Sequence, residues 1–294
     1  EKFELALAKD PSFALAHVGI ADAYNQLVGY HYAAPKVASP KAEQELIRAL
    51  DLNPHLSEAY ASYADIKLYF RWDWAGSEEA FKKAISINPN YPEARRWYSH
   101  FLLISNRHQE AHEQIDIGIK LKSSSPLMYY GKAVIFLRNQ KFDSAKEISK
   151  KMISVDPNYV MGLHTLALSE FGLGNVNETL KLANEGLQKF NNYSEYMVTK
   201  MMALNSLGKS EEVKLIRNDL IKRQETDLVP SMMLARGEYY VGNMDGAISN
   251  LEQAYEDRNI QLFPFDPRQL FDRLNGNPRF DAIWEKVGLP ELNE

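Results

Sequence analysis

The chain of 294 residues contains no cysteine, which removes disulfides, thiolate chemistry and Cys-ligated zinc at once. It has no apolar run of the roughly 18 residues needed to cross a bilayer, and no charged-then-apolar amino terminus. Neither a membrane span nor a signal peptide is visible. Runs of basic residues are missing too. The 34 Lys and Arg against 39 Asp and Glu leave a net charge of -5, whereas a nucleic-acid or anionic-membrane surface needs clustered cations to replace counterions. Contact with nucleic acid or membrane is therefore not expected, and a reducing cytoplasm suits the composition. What is present is ordinary for a folded chain: 45% apolar and 25% charged residues, a balance that argues against disorder.

The information lies in the period. From Asp156 to Leu187 an Asp-Pro-Asn-Tyr turn leads into an apolar-rich helix, a Gly-Leu-Gly break and a returning helix, and the unit recurs 34 residues to either side. Gly174, Gly208 and Gly242 are 34 apart, with Gln140 and Asn106 in the same slot further back. A small residue recurs at Ala111, Ala145 and Ala247, and Thr179 and Val213 fill the slot between them. The prolines keep the same count less strictly. Pro157 follows Pro89 by two periods, but Pro89 follows Pro54 by 35 residues and Pro54 follows Pro11 by 43. The larger surplus is expected as a loop at 29–40, "GYHYAAPKVASP", where Pro35 and Pro40 stop a helix from passing through.

Local signals fit this frame. Gly174 lies where a first helix must end, and glycine takes the left-handed conformation there without a Cβ penalty. "SSSP" before Pro126 reads as a turn and N-cap. Trp72 and Trp74 fall at a turn, where packing within a helix pair is the expected use of such large rings. At the amino terminus Phe3 and Ala6 occupy the slots of Phe81 and Ala84, so the chain reads as starting mid-unit within a longer protein. After Arg258 the period ends. Two short helices are expected, with Asp266 and Asn277 as N-caps, Pro267 and Pro278 at the first helical position, and Gly276 and Gly288 beyond the ends. Phe280, Ile283, Trp284 and Val287 form the stripe that closes the last unit.

The 34-residue helix-turn-helix unit, with Ala133 and Ala167 in first helices, Ala145 and Ala247 in second helices, and Pro54, Pro89 and Pro157 between units, resembles the tetratricopeptide repeat. The resemblance covers nearly all of residues 1–259. It implies an all-α, right-handed superhelical solenoid with a C-terminal helical cap. The expected divisions are a truncated half-repeat at 1–13, seven repeats over 14–259 and capping helices at 260–294. "RWDWAGSEEAFKKAISINPNYPEA" together with "PFDPRQLFDRLNGNPRFDAIWEKVGLP" is similar to the carboxy-terminal tetratricopeptide region of bacterial multidomain regulators, including class III adenylate cyclases and winged-helix activators. That resemblance implies a regulatory or dimerising role beside an upstream domain.

In the family's geometry the first helices line a concave groove, whose inner face here includes Tyr69, Arg96, His100, Tyr130, Arg138, His164, Phe171, Met202, Arg236 and Tyr239. Aromatic, Met and Arg side chains are frequent binding anchors, and such a groove suits a peptide segment, from a partner or from the same polypeptide. Packing is the competing use of Phe171 and Tyr239, because Glu170 and Glu238 hold the neighbouring slots that the family usually gives to an aromatic. The slots that clamp a carboxylate in chaperone-binding members hold Val18 and Asp22, so no such clamp is expected. His108 and His112 share a helix face, yet "HQEAH" lacks the glutamate that a zinc hydrolase needs directly after its first histidine. A non-catalytic interaction scaffold without cofactor or metal, possible as a homodimer, is the reading of the whole; a metal-dependent hydrolase is the remote alternative.

Overall fold

The computed structural model describes residues 2–190, 193–225, 228–263 and 267–290, and Asp266, expected as an N-cap, lies outside them. The described residues are helices joined by turns, with no strand among them, and they form two compact units. The first unit comprises residues 1–121, 257–260 and 287–294; the second comprises 122–256 and 261–286.

In the first unit α1 (Lys2–Lys9) precedes three antiparallel pairs. These are α2 (Ala14–Gly29) with α3 (Pro35–Leu52), α4 (Ser57–Ile66) with α5 (Trp74–Ile87), and α6 (Pro92–Ile104) with α7 (His108–Leu121). The first helices α2, α4 and α6 also touch one another in order. The 29–40 loop expectation needs correction. Pro35 opens α3 as its first residue and Pro40 lies inside it, which is tolerable because Lys36, whose carbonyl loses a partner to the missing N–H, is exposed. The surplus residues lengthen the helices instead: α2 has 16 residues against 13 in α6, and α3 has 18 against 14 in α5. The single extra residue between Pro54 and Pro89 is absorbed by a π-helical turn at Lys67–Arg71, after which Asp73 N–H reaches back to the Lys67 carbonyl at 2.9 Å. Trp72 ends that turn under the Arg258 guanidinium, 3.6 Å from the ring centroid.

The second unit stacks four pairs: α8 (Pro126–Arg138) with α9 (Phe142–Val155), α10 (Val160–Gly172) with α11 (Val176–Lys189), α12 (Ser194–Ser206) with α13 (Ser210–Arg223), and α14 (Ser231–Val241) with α15 (Met244–Glu256). Its first helices stand side by side in the order α8, α10, α12, α14. Ser125 holds the N-cap position of α8 but makes no side-chain cap hydrogen bond. Beyond α15 come a 3-10 turn (Ile260–Leu262), α16 (Pro267–Leu270), a second 3-10 turn (Asp272–Leu274) and α17 (Pro278–Val287). Asn277 caps α17, its Oδ1 accepting from Arg279 N–H at 3.0 Å. Phe280 packs on Phe271 and Trp284, and all three rings are buried.

The repeat is written into the backbone. The residues that end successive first helices, Trp72, Asn106, Gln140, Gly174, Gly208 and Gly242, all have positive φ, from 55° to 86°. From Asn106 onward the next residue donates five positions back, as Arg107 does to Leu102 and Asn243 to Glu238 at 2.8 and 2.9 Å. The small slot is equally regular: Ala111, Ala145, Thr179, Val213 and Ala247 are at most 1% exposed. Where successive pairs need closer approach, as α11 and α12 do, glycine supplies it. A Cβ on Gly186 would stand 2.1 Å from the ring of Tyr196, a fully buried side chain whose hydroxyl donates to the Val160 carbonyl at 2.5 Å.

Candidate functional site

In the first unit Tyr69, in the π turn, and Arg96 and His100, on α6, are each half-buried. The Arg96 guanidinium lies 5.3 Å from the centroid of Trp97. Burial, helped by the Arg96 charge, pushes the His100 imidazole down to about 3. Two carboxylates that sequence reasoning did not select share these surroundings. Asp65 on α4 is pushed up to about 7 by burial, with Asp22 raising it further and Arg96 opposing. Asp22 on α2 is pushed up to about 6 by burial, although it accepts from Ser62 Oγ at 2.5 Å, and Glu93 and Glu58 add repulsion. Their sequence signal is an acid directly after an alanine that is buried, Ala21 before Asp22 and Ala64 before Asp65.

In the second unit Tyr130 on α8 meets Tyr159 edge-on, with ring centroids 6.3 Å apart. His164 on α10 is 4% exposed and edge-on to Tyr196 at 5.6 Å, and neither of its ring nitrogens has a hydrogen-bond partner. Burial pushes it down to about 4, with Glu195 working against the shift and Arg236 with it. Arg236 on α14 is buried and its Nε also lacks a partner. Phe171 is half-buried and Met202 buried. Glu170 and Glu238, beside Phe171 and Tyr239, are buried acids pinned by Asn175 and Asn243 at 2.7 and 2.8 Å.

Arg138 and Tyr239 are engaged by the chain's own C-terminal part. Arg138 Nη1 donates to the Phe263 carbonyl at 2.7 Å, and Gln261 Nε2 donates to Glu195 Oε1 at 2.7 Å. The Tyr239 hydroxyl donates to the Asp272 carboxylate, Phe271 stands edge-on at 5.2 Å, and the Arg273 guanidinium lies 4.1 Å from the Tyr239 ring centroid while donating to its carbonyl at 2.7 Å. Leu262, Phe263, Phe271 and Leu274 are at most 2% exposed. All the receiving residues sit on first helices: α8, α12 and α14. Sequence reasoning missed this segment's hold because its partners lie 66 to 125 residues away for Gln261 and Phe263. His108 and His112 open α7, and among the described residues no group of three or more His, Asp or Glu is disposed to hold a metal.

A tetratricopeptide repeat model matches residues 127–159, the span of α8 and α9. Curated proteins give no match. Solved structures agree on architecture. PilW, a widely conserved type IV pilus biogenesis factor, is 16% identical over 73% of this chain and 96% of its own, with a TM-score of 0.57. A tetratricopeptide repeat protein from Parabacteroides merdae is 12% identical over 93% of this chain and 98% of its own, also at 0.57. Yeast Tom70 is 18% identical over 97% of this chain and 60% of its own, at 0.56. The fold is an all-α tetratricopeptide-type solenoid of helix pairs.

Proposed function

We propose that this chain is a non-catalytic interaction module that takes a peptide or protein segment on the faces of its first helices. The observation that carries the reading is the hold on Gln261–Phe263. A stretch of polypeptide outside the repeats is bonded to α12 through a side-chain donor and to α8 through a main-chain carbonyl, and its two apolar side chains, Leu262 and Phe263, are buried. A surface that binds one polypeptide segment in this way has the chemistry to bind another. The titratable groups with shifted pKa values, Asp22, Asp65, His100 and His164, owe their shifts first to burial and need no catalytic role. The first unit's face, with Tyr69, Arg96 and His100, and the second unit's, with Tyr130, Arg138, His164, Phe171, Met202, Arg236 and Tyr239, are the surfaces assigned to binding. A cytoplasmic setting belongs to the same reading; among the described residues no helix is long and apolar enough to cross a membrane.

The test is affinity capture followed by identification of the bound protein, comparing the parent with chains carrying Tyr69→Ala with Arg96→Glu, or Tyr130→Ala. Loss of an identified partner from either variant, with helical content retained, supports the reading; equal capture by all three contradicts it. A regulatory role inside a larger signalling or transcriptional protein is the second reading, favoured by the same self-held segment, since a module that occupies its own face is suited to being switched. Light scattering on the isolated chain tests its dimerising form.

A further inference from the structure

We propose that Gln261–Phe263 is a built-in competitor for a peptide site on the second unit, displaced by a partner segment with the same order of side chains, a hydrogen-bond donor followed by two large apolar residues. The proposal rests on the first-helix face being a peptide site and adds what that site selects and what closes it.

Three observations define the site. Glu195 Oε1 accepts from the Gln261 amide, which selects a donor at the first position. Leu262 and Phe263 are 0% and 2% exposed, which selects two apolar side chains after it. Arg138 takes the carbonyl of the second of these, a main-chain contact open to any residue in that place. The segment thus presents side chains that can carry specificity, one bonded to Glu195 and two buried, and affinity through its backbone, the division of labour of a peptide ligand.

The segment is also an imperfect occupant. It belongs to no helix pair, and its only regular structure is a three-residue 3-10 turn, Ile260–Leu262. Glu195, the residue it engages, is electrostatically coupled to His164, which is coupled in turn to Arg236. His164 keeps both ring nitrogens, and Arg236 its Nε, buried without a hydrogen-bond partner while the segment is in place. Buried polar groups left unpaired cost free energy, so hydrogen-bonding capacity beside Glu195 stays unmet while this segment is in place. Its advantage is connectivity: a tethered segment acts at a high effective concentration, which an untethered ligand must overcome. The site is therefore closed at rest and opens only to a segment that fits better or is presented locally at high concentration.

The experiment uses the full chain and a fluorescein-labelled peptide of residues 258–276, followed by anisotropy. Parent, Phe263→Ala and Gln261→Ala chains are compared after circular dichroism has shown each to be helical. Should Phe263→Ala unfold, Gln261→Ala, which removes only one side-chain contact, carries the comparison. The expected result is weak binding to the parent, at least tenfold tighter binding to a chain with a weakened segment, and loss of that gain when Arg138→Ala is added. Equal affinity for parent and weakened chains overturns the competitor while leaving the peptide site intact. Absence of binding to every chain overturns both the competitor and the reading beneath it.

Discussion

Arg138, the last residue of α8, donates through Nη1 to the main-chain carbonyl of Phe263 at 2.7 Å, joining the first helix pair of the second unit to a residue 125 positions later. A charge-assisted hydrogen bond of this kind contributes about 1.5–3 kcal/mol. Arg138→Ala is expected to lower stability by that amount in urea unfolding, and Arg138→Lys, which keeps a charged donor, by less. Equal losses for the two would show that the contact acts through packing.

The register can be tested in the core. Ala145 is fully buried in the slot that recurs through the array. Ala145→Phe is expected to overpack the α8–α9 pair and cost about 1–3 kcal/mol, visible as a lower melting temperature. Adjacent pairs should feel it most. An unchanged melting curve would contradict the register.

The left-handed slot makes opposite predictions at its two kinds of occupant. Gly208 has φ of 72° and Gln140 has φ of 55°. Gly208→Ala places a Cβ in a conformation that costs L-residues roughly 1–2 kcal/mol, and destabilisation of about 1 kcal/mol is expected after the gain from a stiffer unfolded chain. Gln140→Gly is expected to stabilise, by about 0.5 kcal/mol. Chemical denaturation of both variants checks the signs.

Acid and base should act on different groups. Asp65 rises from its ordinary 3.8 to about 7 in the folded chain. Below about pH 4 it is protonated in both states and costs nothing. As pH climbs through that window the unfolded chain ionises first, so stability falls until pH 7 and stays lower above it. Asp65→Asn is therefore expected to stabilise at pH 8, by on the order of 1–2 kcal/mol, and to match the parent at pH 4. His164 moves the other way, from 6.5 down to about 4. Its contribution is intact above 6.5 and is lost as pH falls towards 4, because only the unfolded chain accepts the proton in that range. His164→Leu should flatten the acid limb of a stability–pH curve.

Much of this architecture is legible in the sequence because it is periodic. The glycines at 174, 208 and 242 marked a left-handed backbone conformation, and positive φ at Asn106 and Gln140 shows that the slot keeps it without glycine: Asn tolerates the left-handed region, whereas Gln140 holds it at a cost. The proline arithmetic was legible in size but not in place. Nine surplus residues look like a loop when two of them are prolines, whereas a proline at the first helical position begins a helix and another five residues on can be carried when its orphaned carbonyl belongs to an exposed residue. The one-residue excess before Pro89 became a π turn for the same reason, since a helix can absorb one residue without losing its register with neighbours. The candidate site residues came from family geometry alone and stand as a proposal. Arg138 and Tyr239 lie on first helices, but nothing local in the sequence says that Phe263 engages the one and Phe271, Asp272 and Arg273 the other, because contacts over such separations leave no periodic trace.

The central claim is that partners bind on first helices. Hydrogen–deuterium exchange of the full chain, free and saturated with its captured partner, tests it most directly. The account predicts slowed exchange in α4 and α6 or in α8, α10, α12 and α14, with the second helices α5, α7, α9, α11, α13 and α15 changing little. Protection confined to the second helices, with the first helices unchanged, would contradict it.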